Sequence, residues 1–532
     1  MTQRIILTGF MGTGKTTVGR LVAAKMGLPF IDLDEAICHR MGQNITEIFA
    51  QKGEAAFREI ESQVLREILS QNEVVLATGG GTLLSDDNRK LCEQSGTVVC
   101  LTCDLEVLQR RLNDKEVAYR PLLTNDDPKR TLVELWERRR EVYRKIFWQV
   151  DTSSKSPQQI ADTIIGLVSA SIVDLSYPDG VCKILVGRRL FSLLDILLNS
   201  FGLSNTVRIA VISNHTIAAL HGEPLIAELR RFGYTPYLIA IPDGEEYKNL
   251  ETVADLYDRL LEAHIDRGDL VIALGGGVIG DIVGFVASTY MRGLPLIQIP
   301  TSLLAMVDAS IGGKTGLDLP KGKNLIGTFK RPLAVLVDPE YLDTLPRSEF
   351  LSGMAEVIKH AVIADPLLFS WLERGPQGFW MDENLLLRAV AVKVNVVQAD
   401  PYENGLRAIL NFGHTIGHAL ETLSGYTIRH GEAVSVGMAV ESKLAEQLGI
   451  LSSMEAERII DLINRWTLPV YHPLLEDGDR ILSVIRYDKK HRQGKLRWAL
   501  PYQIGKVDLV SGVDDRLIKQ AISSHREAVH AG

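Results

Sequence analysis

The sequence predicts an α/β protein in several units: a parallel-sheet domain, a second α/β lobe, and a mostly α-helical lobe at the end. Three observations carry this. The 532 residues amount to three or four compact units at ~150 residues each. Short apolar runs rich in β-branched residues alternate with helical patterns over much of the chain, the rhythm of parallel strands joined by crossover helices. After Leu345-Pro346-Arg347 that rhythm gives way to helical periods alone.

Taken in order, strands are expected at Arg4–Thr8, Val74–Ala77 and Val98–Leu101, with a helix over Thr17–Met26 and a last one from Ser156-Pro157 to about Ser171. Tyr177-Pro178-Asp179-Gly180 then reads as a turn opening a fresh strand, Cys182–Val186, which places a junction at 172–178. Strands follow at Arg208–Ser213, Tyr237–Ile241, Leu270–Leu274, Leu296–Ile299 and Ala334–Val337. Glu349–Ile363, Glu383–Asp400, Leu410–Leu423 and Ala433–Gln447 are helical in period. The expected division is therefore 1–172, 178–345 and 346–532.

Lys plus Arg number 58 against 66 for Asp plus Glu, a net charge of -8. This balance argues against nucleic acid or an anionic membrane surface as the main partner. No uninterrupted run of ~18 apolar residues suggests a membrane span. A strand beginning at Arg4 leaves no room for a targeting segment, and five cysteines are too few for a disulfide framework. A cytoplasmic protein is expected. Cys100 and Cys103 form a lone CxxC within a strand, where residues three apart face opposite sides, so the pair reads as structural.

Gly9-Phe10-Met11-Gly12-Thr13-Gly14-Lys15-Thr16 matches GxxxxGK[ST] between a strand and a helix, the setting of a phosphate-binding loop. Its backbone N–H groups would curl around phosphates, Lys15 adding a point charge and Thr16 a hydroxyl for Mg2+. Asp32 and Asp34, two apart at the end of the next strand, point the same way, one toward the metal's water shell and one toward an acceptor hydroxyl. Arg58, Gly79-Gly80-Gly81 and Arg120-Pro121-Leu122-Leu123 supply a cation, a close backbone approach and a lid arginine. Together they outline a small anionic acceptor.

The segments GFMGTGKTT, IDLDEAI, AFREIE, TGGGTLL and YRPLL, in this order and spacing, resemble shikimate kinase over about residues 1–170. The resemblance implies a P-loop kinase domain using ATP with Mg2+. Gly12, Thr13, Gly14, Lys15, Thr16 and Thr17 would contact ATP, and Arg111 would stack on adenine. Thr16 and Asp32 would serve Mg2+, and Asp34 would meet the shikimate hydroxyl as base. Arg58, Gly80 and Arg139 would bind the acid, while Arg120 steadies the transferring phosphoryl group.

Further along, Gly275-Gly276-Gly277-Val278-Ile279-Gly280 follows an apolar strand and formally matches GxGxxG. The next strand ends in Ile299-Pro300-Thr301-Ser302, without the acidic residue a Rossmann site wants. Asp281 follows the loop directly, so this is a dinucleotide-type turn of another kind. His414 and His418 share one face of a helix at i and i+4, and spacing alone picks them as a metal pair with Glu356 or Glu421 as third ligand. Lys314, Lys323, Lys359, Lys393 and Arg407 lie in glycine-rich or helical contexts that point to a polyanionic substrate.

PDGEEYK, GGGVIGD, PTSLLAMVDASIGGKTG, KGKNLIG, GMAEVIKH, LNFGHTIGHALE, HGEAV and DKK resemble 3-dehydroquinate synthase over about 178–505. This implies a Rossmann-like NAD lobe, then a helical metal and substrate lobe. It replaces the spacing choice with Glu356, His414 and His430 as Zn2+ (or Co2+) ligands, His418 being a hydrogen-bonding or proton-relaying partner. NAD contacts are implied at Glu245, Lys248, Gly276, Gly277, Asp281, Thr301, Ser302, Lys314 and Lys323. Asp308, Lys314, Asn324, Lys359, Lys393, Arg407 and Asn411 fall on substrate positions, and Arg292 where that family reaches across a homodimer interface.

Overall fold

A computed structural model describes residues 4–70, 73–112, 128–320, 322–375, 382–491 and 496–531. Arg120 lies outside them. The chain divides into two compact units, residues 1–170 with 191–206, and residues 171–190 with 207–532. Among the described residues no helix is long and apolar enough to cross a membrane.

The first unit is built on β1 (Arg4–Gly9), β2 (Phe30–Asp32), β3 (Val74–Ala77), β4 (Thr97–Thr102) and β5 (Trp148–Asp151). They form one parallel sheet in the order β2-β3-β1-β4-β5. β3 is buried along its whole length and β1 beyond Arg4. Their unbroken apolar runs are those of strands covered on both faces. The covering helices include α1 (Lys15–Met26), α2 (Leu33–Met41), α3 (Ile45–Leu69), α4 (Pro128–Tyr143) and α5 (Pro157–Ser169). α3 kinks at Gly53, whose φ is 79°. A later helix, α6 (Leu194–Ser200), belongs to this unit. Its segment is held by a Lys155–Asp195 ion pair of 2.8 Å and by Phe201 meeting Phe147 edge-on at 5.2 Å.

The second unit carries a seven-stranded sheet of β6 (Ser171–Tyr177), β7 (Gly180–Val186), β8 (Arg208–Asn214), β9 (Thr235–Ile241), β10 (Leu270–Gly275), β11 (Leu296–Pro300) and β14 (Ala334–Val337). The order is β6-β7-β14-β11-β10-β8-β9, parallel except for β6, which runs antiparallel to β7. The segment 172–178 expected as a junction is thus mostly strand β6, and Pro178-Asp179 is the tip of a hairpin. Two further hairpins have no clear signature in the sequence: β12 (Lys314–Leu319) with β13 (Gly322–Phe329), and β15 (Arg497–Gln503) with β16 (Lys506–Ser511). The first is rich in Gly and Lys, which weakens the period-2 pattern.

Five helices of this unit carry candidate site residues: α7 (Gly277–Thr289), α8 (Arg347–Ala364), α9 (Glu383–Ala399), α10 (His414–Leu423) and α11 (His430–Gln447). The helix expected over Leu410–Leu423 begins only at His414. Leu406–Asn411 is a 3-10 turn, and Gly413 at φ 82° breaks the path between them. α8 is buried at nearly every position from Phe350 to Ile363, and α11 from Gly431 to Ala445.

Glycines let three of these helices meet backbone to backbone. A Cβ on Gly437 of α11 would lie 1.9 Å from the Gly413 carbonyl oxygen. One on Gly431 would lie 2.2 Å from the Ser352 carbonyl oxygen of α8. G437A is therefore expected to destabilise the second unit by about 3 kcal/mol. G478A, where the nearest atom is 4.0 Å away, should change stability by less than about 0.5 kcal/mol. Urea denaturation followed by fluorescence, with Trp466 and Trp498 both fully buried in this unit, measures the difference.

Candidate active sites

In the first unit the loop after β1 is shaped by Gly9, Gly12 and Gly14, at φ 136°, 80° and 91°. Only glycine takes such values without strain. The Thr13 hydroxyl donates to the Phe10 carbonyl at 2.8 Å. The Lys15 ammonium donates to the carbonyls of Gly9 and Phe10 at 2.9 and 3.1 Å, folded onto its own loop. Thr16, one residue into α1, donates its hydroxyl to Asp32 Oδ2 at 2.7 Å. Asp32 also caps α2, its Oδ1 accepting from the Asp34 backbone N–H at 3.0 Å. Thr17 faces solvent.

Across the loop, Gly79, Gly80 and Gly81 admit charged groups to the backbone. A Cβ at Gly79 would lie 2.8 Å from Asp34 Oδ1, and one at Gly81 2.5 Å from Arg58 Nη2. Arg58 donates to Glu61 at 2.7 Å and to Glu54 at 3.3 Å. Burial disfavours its charge, but Glu61 and Glu54 hold the guanidinium above its ordinary value. Arg139, itself buried, donates to the Gly80 carbonyl at 3.1 Å, as does the Tyr143 hydroxyl. Arg111 lies on the other side of the loop, bonded to the carbonyl of Gly12 at 3.4 Å and to the Thr152 hydroxyl at 3.1 Å. Asp32, Asp34, Arg58, Gly80 and Arg139 thus line the end of the sheet beside the phosphate-type loop. Glu61 and Tyr143 complete the set. Glu61 had a visible signal, since it lies at i+3 from Arg58 on α3.

In the second unit, the glycine turn after β10 sits against the segment after β11. A Cβ at Gly276 would lie 3.3 Å from Ser302 Oγ, and the Thr301 N–H donates to the Gly275 carbonyl at 3.0 Å. Buried Lys248 pairs with Asp281 of α7 at 2.6 Å and donates to Asn324 Oδ1 at 2.6 Å. Burial opposes its charge, but Asp281 holds the Lys248 ammonium above its ordinary range. Lys323 pairs with Glu245 at 3.4 Å. Gly277, the first residue of α7, has the Ala309 side chain 3.6 Å from its Cβ position.

The other cluster lies where α8, α9, α10 and α11 converge. Among the described residues two sets of three bring ligating atoms within 4.8 Å of one another: Glu356-His414-His430 and Asp308-Glu356-His360. Asp308 is occupied by Lys393 at 2.6 Å, with Lys359 at 3.9 Å and His360 Nε2 at 3.5 Å. Burial opposes charge on Asp308, but Lys393 and Lys359 hold its carboxyl well below the ordinary range. Glu356 Oε1 faces His430 Nε2 at 3.4 Å and His414 Nε2 at 3.7 Å. His430 Nδ1 lies 3.3 Å from Glu421. Burial favours neutral imidazoles, and it takes His414 well below its usual value, helped by Lys359. In His430, Glu356 and Glu421 reverse the effect of burial and push it up to about 10.

The pair expected from helix spacing, His414 with His418, is not the set that converges. His418 is about half exposed and lies 4.0 Å from Glu421. Its place beside Glu356 is taken by His430, the first residue of α11. Glu421 stands behind His430 rather than among the converging ligands. Lys314 pairs with Glu403. Buried Arg407 donates to the Pro401 carbonyl at 2.6 Å. Arg292, exposed and at φ 67° beside Met291 at 50°, lines a cavity of about 440 Å³ with Lys330 and Arg331. Sequence reading missed His360 and Glu403. His360 is at i+4 from Glu356 and so was detectable, whereas Glu403 meets Lys314 across 89 residues of chain.

Two kinds of enzyme site are thus present: a P-loop phosphotransferase site with a carboxylate and arginines for a small anionic acceptor, and a glycine-turn α/β lobe joined to a buried carboxylate–histidine centre. Residues 11–169 match shikimate kinase, residues 238–352 the N-terminal domain of 3-dehydroquinate synthase, and residues 353–491 its C-terminal domain. A 3-dehydroquinate synthase of Thermodesulfovibrio yellowstonii is 46% identical over 341 residues, covering 62% of this chain and 94% of the relative. One from Vibrio atlanticus is 43% identical over 361 residues, covering 67% and 98%. The solved structure of a 2-epi-5-epi-valiolone synthase from Streptomyces hygroscopicus subsp. jinggangensis, with NAD+ and Zn2+ bound, is 32% identical at a TM-score of 0.60, covering 67% of this chain and 99% of that one. The chain belongs to the 3-dehydroquinate synthase family, with a shikimate kinase domain ahead of the synthase. It is a bifunctional enzyme of the shikimate pathway, a kinase and a carbon–oxygen lyase in one polypeptide.

Because Glu61 both orients Arg58 and accepts from Thr82 at 2.6 Å, E61Q should raise the KM for shikimate about tenfold, or about 1.4 kcal/mol. The kcat and the KM for ATP should stay within about threefold. Steady-state kinetics with each substrate varied in turn checks this.

Proposed function

We propose that the first unit phosphorylates shikimate from ATP and that the second cyclises 3-deoxy-D-arabino-heptulosonate 7-phosphate to 3-dehydroquinate with release of phosphate, each through the residues just described together with Arg120 of the first unit. In the kinase, Gly12 to Thr17 cradle the ATP phosphates. Lys15 leaves the loop carbonyls for the phosphates, and Arg111 stacks on the adenine. Arg58, Gly80 and Arg139 hold the shikimate carboxylate side, which orients one ring hydroxyl toward Asp34. The Asp34 carboxylate accepts that hydroxyl's proton as phosphoryl transfer proceeds. Thr16 and Asp32 serve Mg2+, and Arg120 steadies the transferring group.

In the synthase, Glu356, His414 and His430 would hold Zn2+ or Co2+. The donor set fits: two imidazole nitrogens face a buried carboxylate whose oxygens have no hydrogen-bond donor of good geometry, although Lys359 pairs with it. Such N/O sets suit these ions. Glu245, Lys248, Gly276, Gly277, Asp281, Thr301, Ser302, Lys314 and Lys323 would bind NAD+. When bound, the metal polarises substrate oxygens and NAD+ takes up and returns one hydride. The chain's own residues do the rest. Lys393, Arg407, Asn411 and Asn324 bind the carboxylate and phosphate of the substrate. Asp308 fixes Lys359 and Lys393, and His418, at the open side of the cluster, relays a proton to solvent. Arg292 completes the site across a homodimer interface. The partners are small anions rather than nucleic acid or membrane, and the location is cytoplasmic.

The convergence of Glu356, His414 and His430 from three helices carries the synthase reading. On the full-length chain, K15A should lower shikimate phosphorylation about 100-fold or more and leave 3-dehydroquinate formation intact, while H414A does the reverse. Chelation followed by Mg2+ alone should restore only the kinase. Net accumulation of NADH at 340 nm during synthase turnover would overturn the cyclase assignment, since the hydride is returned.

A further inference from the structure

α10 starts with an N-terminus that cannot cap itself. Its Ncap residue, Gly413, has no side chain and cannot acquire one: a Cβ there would lie 2.5 Å from Met438 Cγ and 2.8 Å from the Val434 carbonyl oxygen. The first N–H groups of a helix have no intrahelical acceptor and, when buried, need one from elsewhere. Here it comes from another helix. Glu441 of α11, with no solvent exposure, accepts from the Gly413 N–H at 2.6 Å on one carboxyl oxygen and from the Ile416 N–H at 3.1 Å on the other.

The carboxylate therefore grips the backbone on both sides of His414. Its other end is fixed by the helix it belongs to, whose first residue is His430. Among the described residues no lysine, arginine or histidine forms an ion pair with Glu441. With no cation beside it, burial pushes the Glu441 carboxyl up to about 8 against the pull of its backbone donors; such a group is costly to bury, and Leu or Met would fill the same space without that cost. What the carboxyl group supplies and an apolar side chain cannot is two directed acceptor contacts, one from each oxygen, to the turn that presents His414.

We propose that Glu441 is a positioning residue for the metal centre: by capping α10 from α11 it sets the register of His414 against His430 and Glu356. The inference rests on the reading of Glu356, His414 and His430 as metal ligands. Groups that orient ligands from outside the coordination sphere change metal affinity by about 10–100-fold when altered.

The test uses the full-length enzyme, with Zn2+ affinity measured by chelator competition beside far-UV circular dichroism and shikimate kinase activity. E441Q keeps shape and one acceptor oxygen, and E441A removes all contacts. The expected result is a loss of Zn2+ affinity of about tenfold in E441Q and more in E441A. In E441Q, secondary structure and kinase activity should match the parent, and excess Zn2+ should restore synthase kcat. Should E441A fail to fold, E441Q decides alone. Parental Zn2+ affinity in E441Q overturns the proposal, and so does loss of the synthase fold in E441Q, which would assign the carboxylate to the core as a whole. If the parent enzyme itself binds no Zn2+, or H414A binds it as tightly as the parent, the metal-ligand reading fails instead.

Discussion

The close backbone approach of α8, α10 and α11 is the constraint that creates the synthase centre. Gly413, Gly431 and Gly437 stand where no side chain fits between helices, so the ligating residues of three separate helices come within reach of one another. Ligands on packed helices are held more exactly than ligands on loops. The same packing forces Glu356, Lys359, His360, Asp308 and Lys393 into one low-dielectric cluster. Each charge there has an opposite neighbour. Buried ion pairs often contribute little net stability against apolar residues of the same size. The cluster is therefore better explained by chemistry than by folding energy.

The kinase unit obeys a related rule with different means. There the strands supply the rigidity: β1 lies at the centre of the parallel sheet and delivers its glycine loop to the N-terminus of α1. Gly79 to Gly81 let Asp34, Arg58 and Arg139 lie directly on the backbone. In both units glycine works by what it leaves out, in one case Cβ atoms between helices and in the other Cβ atoms between a strand end and charged side chains.

Much of this is legible in the sequence. Strands buried on both faces read as unbroken Val, Ile and Leu runs, and the phosphate loop has a fixed spacing. The hairpins are less so, because β12 and β13 carry glycine and lysine where alternation would be sought. Ser171–Tyr177 alternates only from Val173 on, and it follows the preceding helix at once and so reads as part of the junction. The histidines show the limit most clearly. Spacing at i and i+4 says that His414 and His418 share a helix face, but not what lies opposite. That is decided by the start of α11, a dozen residues on, and only the family resemblance places His430 there in advance. Pairings such as Lys314 with Glu403 are set by the tertiary fold and leave no local trace.

The net charge of -8 looks at odds with an enzyme whose substrates and nucleotides are all anions. The geometry resolves this. Several cations assigned to anion binding already hold a carboxylate: Arg58 with Glu61, Lys248 with Asp281, Lys314 with Glu403, Lys393 with Asp308. The acidic residues that tip the balance include these local counter-charges. They keep clefts rich in lysine and arginine near neutrality before substrate arrives and hold the long side chains in a few orientations. Binding of a phosphate or carboxylate then exchanges or shares an existing ion pair rather than creating one. Specificity consequently depends on the shape of the anion that can make that exchange, and not on a positive field that would attract any polyanion.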